Sequence, residues 1–421
     1  MRRLRLRPPN LPREVYVLAA VAFSVAVGFG IVAPIIPVFA REFGVGRTAA
    51  GAVISAFAFM RLVSALGSGR LVDRLGERLV LASGIGIVAV SSAIAGLAQS
   101  YWQLLVLRGV GGVGSAMFTV AAMSLTLRVV GPDQRGQATG MFQVGFLVGA
   151  IAGPAFGGLL AGVNLRVPFF VYAATLAVAG SIAVLFLSHT HLADRVVEDG
   201  QPQRTSLGVA LRHRAYLAAL ASNLGAGWVL FGVRSSLLPL FVVEGLRRGP
   251  VWIGIGFLVS AGAQALSLLP AGRFVDTVGR RPGMVLGGAL SAASMALLAV
   301  SPTMPAYVLS MVVFGVGAGF LGVAPGAVVG DVVQGRGGTV VAAFQMAADL
   351  GAVIGPLFAG WLADTTSYAA AWASSAVILG AGALLAVGAP ETRRRPAAPT
   401  PGSAKGPIQV GDQVVDRLDT D

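Results

Sequence analysis

Apolar stretches of about twenty residues recur twelve times between Val15 and Ala389, broken only by short runs of Gly, Pro and charge. A stretch of roughly 18 or more apolar residues is long enough to cross a bilayer as a helix. Lipid offers the backbone no hydrogen-bond partner, so only helices or closed barrels can cross it. The chain therefore reads as an all-α polytopic membrane protein of twelve transmembrane helices. They run over 15–40, 48–72, 79–98, 101–128, 137–162 and 167–188, then over 215–243, 250–275, 283–301, 304–330, 338–363 and 368–389. Composition agrees: of 421 residues 55% are hydrophobic and 12% charged, where a soluble domain carries about 25% charged residues. The first span exceeds the roughly 7–15 apolar residues of a cleaved signal, so it is expected to be retained.

The spans fall into two sets of six. Residues 1–14 precede the first set (15–188). The polar stretch 189–214 links it to the second set (215–389). The tail 390–421 is polar, Pro-rich and expected to be disordered. Net charge is +13, which in a soluble chain would raise nucleic acid as a partner. Of the 31 basic residues, 23 fall in the two termini, the linker and the loops on their side. Five fall in the opposite loops (Arg41, Arg47, Arg166, Arg247 and Arg248) and three lie inside helices. Positive residues stay on the cytoplasmic side, so both termini are expected there, and the charge encodes topology in a cytoplasmic membrane. The Arg393–Arg395 run reads as a helix stop that could touch anionic lipid.

Cysteine is absent and the three histidines, His189, His191 and His213, all lie near the linker. No metal site, cofactor or catalytic cluster is expected, and the chain does not read as an enzyme. Oligomeric state is silent.

The two sets repeat each other. "GSGRLVDRLGERLVL" (67–81) returns as "PAGRFVDTVGRRPGM" (270–284), with Asp73 and Asp276, and Gly76 and Gly279, each 203 residues apart. "GIVAPIIPVFAREF" (30–43) aligns with "GVRSSLLPLFVVEG" (232–245), "GGVG" (111–114) with "FGVG" (314–317), and "GAIAGPAFGG" (149–158) with "GAVIGPLFAG" (351–360). Internal symmetry of this kind is expected of transporters whose halves rock around a central site.

On these residues the chain resembles the major facilitator superfamily, over roughly 15–390, and in particular its twelve-helix proton antiporters for drugs and metabolites. The signature of loop 2–3 is matched by Gly69, Leu71, Asp73, Arg74, Gly76 and Arg78, with a weaker copy at Gly272, Asp276, Gly279, Arg280 and Arg281. The helix 4 signature is matched by Arg108, Gly112 and Gly114, although Met311 replaces the arginine in the second half. The helix 5 signature is matched by Gly140, Gly149, Gly153, Pro154, Gly157 and Gly158. The resemblance implies two pseudo-symmetric six-helix bundles around a central cavity, with the loop motifs as gates. The Gly149, Gly153 and Gly157 stripe suits close helix packing. Its copy at Gly351, Gly355, Pro356 and Gly360 is expected at the interface between halves. Asp73 is expected to accept hydrogen bonds from a helix N-terminus.

Arg61, Arg108 and Arg234 lie inside helices, where each costs about 2.5–3.5 kcal/mol on insertion scales, so each needs a cavity or a partner. Gln143, Asn223, Gln264 and Gln345 are further candidates for the cavity wall. Of eighteen acidic residues only Asp349 lies deep in a helix. Arg61 and Asp349 sit at matching depth on helices 2 and 11, which the resemblance sets face to face in opposite halves. They are expected to form an ion pair and to carry proton coupling. The leading expectation is a secondary transporter that exports a small amphipathic or anionic organic solute against protons, with lipid as its surroundings. Import of an organic anion is the alternative, and a membrane-embedded enzyme or a receptor a remote one.

Overall fold

The computed structural model describes residues 11–130, 134–161, 164–186, 206–333 and 338–393. Residues 1–10, most of the linker and the tail beyond Arg393 lie outside them, so the expectations for those segments are not met or missed here. Among the described residues there is no strand.

Among the described residues, twelve long helices occupy the expected positions in order, and eleven are long and apolar enough to cross a membrane. Helix 1 is Arg13–Arg41, with a turn at 33–35. Helices 2 to 6 are Arg47–Leu75, Glu77–Gly96, Tyr101–Arg128, Arg135–Ala161 and Val167–Phe186. Helix 7 is Arg214–Gly245. Helices 8 to 12 are Val251–Thr277, Arg280–Val300, Met304–Val332, Gly338–Thr365 and Tyr368–Val387. Helix 5 has 27 residues, about 40 Å at 1.5 Å per residue, which is ample for a bilayer. A short turn, Leu207–Ala210, precedes helix 7. Because helices alternate in direction, both chain ends lie on one face, called here the termini face; the opposite one is the far face.

Local chemistry repeats with the sequence. Gly76 and Gly279 join helix 2 to helix 3 and helix 8 to helix 9, with φ of 81° and 152°. A side chain at either would be strained, so glycine is the residue that makes these turns. At the far face the Ser100 hydroxyl accepts the Gln103 N–H and the Thr303 hydroxyl accepts the Ala306 N–H, both at 3.4 Å. These are matching N-caps for helices 4 and 10. Helices 1 and 7 differ: the first breaks near Pro34, whereas the second stays wound but passes through π-helical turns at Gly227–Val233 and Phe241–Gly245, on either side of Pro239. Proline removes a ladder hydrogen bond, and both responses absorb the loss.

The helix 5 stripe packs within its half, and the helix 11 copy, expected at the interface between halves, is divided: Gly351 and Gly355 face helix 7, Pro356 and Gly360 the other half. Gly145, Gly149, Gly153 and Gly157 lie against the carbonyls of Ala19, Phe23, Val27 and Ile31 on helix 1. Each pair is 126 residues apart, so helices 1 and 5 run parallel and in register. A Cβ at any of these glycines would collide with a carbonyl oxygen. In the second half Gly351 and Gly355 lie against the backbone of helix 7 at Leu224 and Trp228. The reason is steric: parallel neighbours that share a half can sit permanently at backbone contact, whereas helices that must part cannot rely on it. Only the end of the second stripe reaches across, with Gly360 against Arg47 and Thr48, and Pro356 against Gly51. Pro154 and Gly158 lie among residues whose side-chain surroundings are outside the described set.

On the termini face the chain after helix 12 folds back over helix 9. The Glu391 carboxylate accepts N–H bonds from Arg280 at 2.8 Å, Arg281 at 3.0 Å and Arg393 at 3.0 Å. Burial alone would raise its pKa, but the backbone N–H bonds outweigh this and hold it below the ordinary value of 4.5. A carboxylate with a lowered folded pKa stabilises above its unfolded value and loses that contribution as pH falls through the folded one. Glu391→Gln should therefore lower the thermal midpoint of detergent-solubilised protein at neutral pH, by the equivalent of about 0.3–1 kcal/mol. The gap to wild type should shrink as pH drops below about 4.3. A pH-independent gap in differential scanning fluorimetry would contradict this account.

Candidate functional site

Helix 2 with helix 11 and helix 5 with helix 8 make the longest contacts between the halves, and helix 7 also touches helices 1 and 2. The pairing of helix 2 with helix 11 carries the charge. From the far face inward, the antiparallel seam runs through Thr48 and Gly360, Gly51 and Pro356, Ser55 and Val353, then Arg61 and Asp349. The Ser55 hydroxyl donates to the Val353 carbonyl at 2.7 Å. The seam ends on a hydrogen-bonded ion pair, with Arg61 Nη2 donating to Asp349 Oδ1. Arg61 is the midpoint of helix 2, 14 residues from Arg47 and 14 from Leu75, about 21 Å from either end.

The far-face end of the seam is a clasp that the sequence reading did not assemble. Glu244, in the last turn of helix 7, accepts Arg41 Nε at 2.7 Å, Arg47 Nε at 2.9 Å and the Tyr368 hydroxyl at 2.8 Å. Asp364, near the end of helix 11, accepts the backbone N–H groups of Arg47 and Thr48 at 2.9 and 2.8 Å, and the Thr48 hydroxyl at 2.7 Å. A carboxylate from one half thus caps the first turn of a helix in the other, where the helix dipole favours an anion. Arg47 also stacks 4.6 Å over the Tyr368 ring. The signal was present: Arg41 and Arg47 are two of the five basic residues in the loops of the face that carries few of them, and cations there need a reason.

Among the described residues, no hydrogen bond or ion pair joins the halves between the Arg61–Asp349 pair and the termini face. Polar links lie instead within each half. Glu77 at the start of helix 3 accepts Arg128 Nη1 at 2.5 Å and the Ser124 hydroxyl at 3.1 Å, both from the end of helix 4. Arg280 at the start of helix 9 donates to Asp331 at the end of helix 10, at 3.1 Å, and to Asp276 at 2.6 Å. Glu77 and Arg280 are 203 residues apart, as are Arg128 and Asp331. The staple recurs in register with its charges exchanged.

The loop motifs contribute less than expected. Asp73 and Arg74 are exposed, and Asp73 has no hydrogen bond or ion pair among the described residues, so the expected acceptance of helix N–H groups is not formed in this state. Glu391 does that work in the second half. Gly69 lies in the last turns of helix 2, with open space where a Cβ would project. Asp276, expected to be the lesser partner, is the engaged one of the pair.

Arg108 and Arg234 are buried, with 1% and 8% of their surface exposed. Arg108 lies 4.5 Å over the Phe57 ring, and Arg234 lies 4.5 Å over Phe257 and 5.1 Å over Phe314. Arg108 Nε and Nη2 and Arg234 Nε have no hydrogen-bond partner. Aromatic faces stabilise a desolvated cation by about 2 kcal/mol, which leaves part of the cost of burial unmet. Both side chains are closed off from the surface in this state. Their depth explains it: both lie on the far-face side of the membrane, where the halves are closed. Asn223 spends its amide on the Phe344 carbonyl at 2.6 Å, tying helix 7 to helix 11 within one half, so it is a packing residue here. Gln264 is half-buried, and Gln143 and Gln345 are exposed. Among the described residues no hydrogen bond joins any two of these four.

A bundle of twelve helices in two related halves, clasped at one face by ion pairs between them, is the architecture of a solute transporter. The profile of the Major Facilitator Superfamily matches residues 18–263 and again 235–417, and the chain belongs to this family, which is one of membrane transporters and not of enzymes. It is 28% identical over 281 residues to the class G tetracycline resistance protein of Vibrio anguillarum, covering 65% of this chain and 71% of that one. It is 30% identical over 165 residues to multidrug resistance protein 1 of Bacillus subtilis, covering 39% of this chain and 42% of that one. With quinolone resistance protein NorA of Staphylococcus aureus it shares 27% identity over 177 residues, 42% of this chain and 45% of that one. The matches to the Bacillus and Staphylococcus relatives thus span less than half of their length. Among solved structures, the human organic anion transporter MFSD10 superposes with a TM-score of 0.65 at 17% identity, covering 89% of this chain and 100% of that one. The nucleoside transporter NupG gives 0.66 at 18% identity, covering 89% and 98%.

The exchanged staple yields a test. Arg128→Glu alone sets two carboxylates together beside helix 3. It should cost about 2 kcal/mol, less than the roughly 3–5 kcal/mol for breaking a fully buried pair, because the Arg128 side chain is 40% exposed. The double variant Glu77→Arg/Arg128→Glu reproduces the polarity of Arg280 and Asp331 and should recover most of the loss. A double-mutant cycle on thermal unfolding reads the coupling; independent, additive effects would rule the staple out.

Proposed function

We propose that the chain exports a small amphipathic organic solute across the cytoplasmic membrane in exchange for protons, with both termini in the cytoplasm. The observation that carries this reading is the Arg61–Asp349 pair at the middle of the seam between the halves. When the far face opens, the two residues part with their halves. Asp349 then stands without its counter-charge at mid-membrane, where an isolated carboxylate is costly and binding a proton is the remedy. With the far face outside, that proton comes from outside; re-forming the pair with Arg61 expels it inward. The printed functions of the relatives, resistance to tetracycline, quinolones and multiple drugs, support outward movement of drug-like compounds. In this reading Asp73, Arg74, Arg78, Asp276, Arg280 and Arg281 belong to the gate on the cytoplasmic face.

Import of an organic anion is the second reading. Arg108 and Arg234, buried with unspent donors, favour an anionic solute over a lipophilic cation.

Asp349→Asn should abolish transport driven by a pH gradient in proteoliposomes while sparing exchange of solute for solute. A variant that still follows the imposed gradient would sink the proton assignment, and accumulation on the termini side would favour import. If the solute carries a carboxylate, Arg108→Gln or Arg234→Gln should weaken its binding by one to two decades, since a charged hydrogen bond contributes about 1.5–3 kcal/mol. Unchanged Kd in both variants, read by calorimetry, would exclude an anion site at these residues.

A further inference from the structure

On the termini face of the second half, a groove of about 620 Å³ opens between helices 8, 9 and 12. Phe274, Val285, Leu286 and Val387 form its apolar wall, and Arg281 and Glu391 stand at its rim. Phe274 is held by an edge-on contact with Phe320, centroids 5.6 Å apart. The rim exists because Glu391 binds the N–H groups of Arg280 and Arg281, which draws the chain after helix 12 across the start of helix 9. A greasy wall ending in charge at the level of the helix ends has the profile of a phospholipid, with tail along the helices and headgroup at the interface.

The sign of the headgroup follows from which charges are already spent. The Glu391 carboxylate is occupied by backbone N–H groups. The Arg280 side chain is shared among Asp276, Asp331 and the Val275 carbonyl. The Arg281 guanidinium is exposed and, among the described residues, makes no hydrogen bond or ion pair. Arg393 lies two residues after Glu391 in sequence. The unmatched charge at the mouth is therefore positive.

We propose that this groove holds one anionic phospholipid, its acyl chain against helix 9 and its phosphate on Arg281. The site is separate from the seam and does not depend on the transport reading. Basic pockets between helix ends select anionic headgroups through such contacts.

Because the chain has no cysteine, a single fluorophore can be placed by Ala289→Cys, on the groove wall, in protein reconstituted into phosphatidylcholine nanodiscs. Doxyl-labelled phosphatidylglycerol should quench it at about fivefold lower mole fraction than doxyl-labelled phosphatidylcholine, the factor equivalent to about 1 kcal/mol for one basic residue. Arg281→Gln should remove the preference, Arg281→Lys should keep part of it, and excess inorganic phosphate should leave it unchanged. Native mass spectrometry of the unlabelled chain supplies a second readout, with wild type retaining one more phosphatidylglycerol than Arg281→Gln. Equal quenching by both lipids, a preference that survives Arg281→Gln, or its loss to inorganic phosphate would overturn the proposal.

Discussion

An arginine and an aspartate placed at the middle of a bilayer must find each other or remain a standing cost, and this requirement organises the seam between the two halves. Each cation inside a helix costs about 2.5–3.5 kcal/mol before pairing. Arg61 and Asp349 meet that cost jointly, and can do so only while helices 2 and 11 lie side by side. Gly51 and Gly360 bring those helices close enough. The clasp of Glu244, Asp364, Arg41 and Arg47 fixes their far-face ends. The remaining tight packing, the glycine stripe of helix 5 and Gly351 and Gly355 of helix 11, lies within the halves and lets each move as a body.

The two halves share a backbone plan but not a charge plan. Gly76 and Gly279 turn the same corner, and Ser100 and Thr303 cap the same helix. The staples below them exchange acid for base, Glu77 with Arg128 against Arg280 with Asp331. An ion pair needs opposite signs at two positions and is indifferent to which position carries which, so a repeat preserves the pair more easily than its polarity.

Much of this was legible in the sequence because lipid restricts the options so severely. Twelve helices followed from apolar length alone, and their ends fell within three residues of the observed ones. The Arg61–Asp349 contact was legible because so few charges lie deep in helices and because these two sit at matching depth. The glycine stripes were legible as close packing but not as to partner, since a flat face does not say which helix will lie on it. The clasp was hidden for a different reason: Glu244 and Asp364 look like ordinary helix-end acids, and 120 residues separate them. Only the fold brings them to Arg47. Asp73 misled because the loop motif is read as a finished contact, whereas in this state its aspartate faces water.

The distribution of ion pairs across the seam also bears on how it would part. The first half supplies only cations to the far-face clasp, Arg41 and Arg47, and the second half supplies only carboxylates, Glu244 and Asp364. Separation therefore breaks every ion pair at once and leaves no counter-charge within either half, although Glu244 keeps the Tyr368 hydroxyl and Arg41 the Val45 carbonyl. At the membrane surface this is cheap, because freed charges are hydrated and an exposed pair contributes about 0–1 kcal/mol. At the depth of Arg61 and Asp349 the same separation strands two charges, and an unpaired charge at mid-helix costs about 2.5–3.5 kcal/mol on insertion scales. Resistance to opening thus rises from the far face inward and is greatest at the innermost link. A seam graded in this way is held by its deepest pair, and a single neutralised carboxylate there would release more of it than any change in the clasp above.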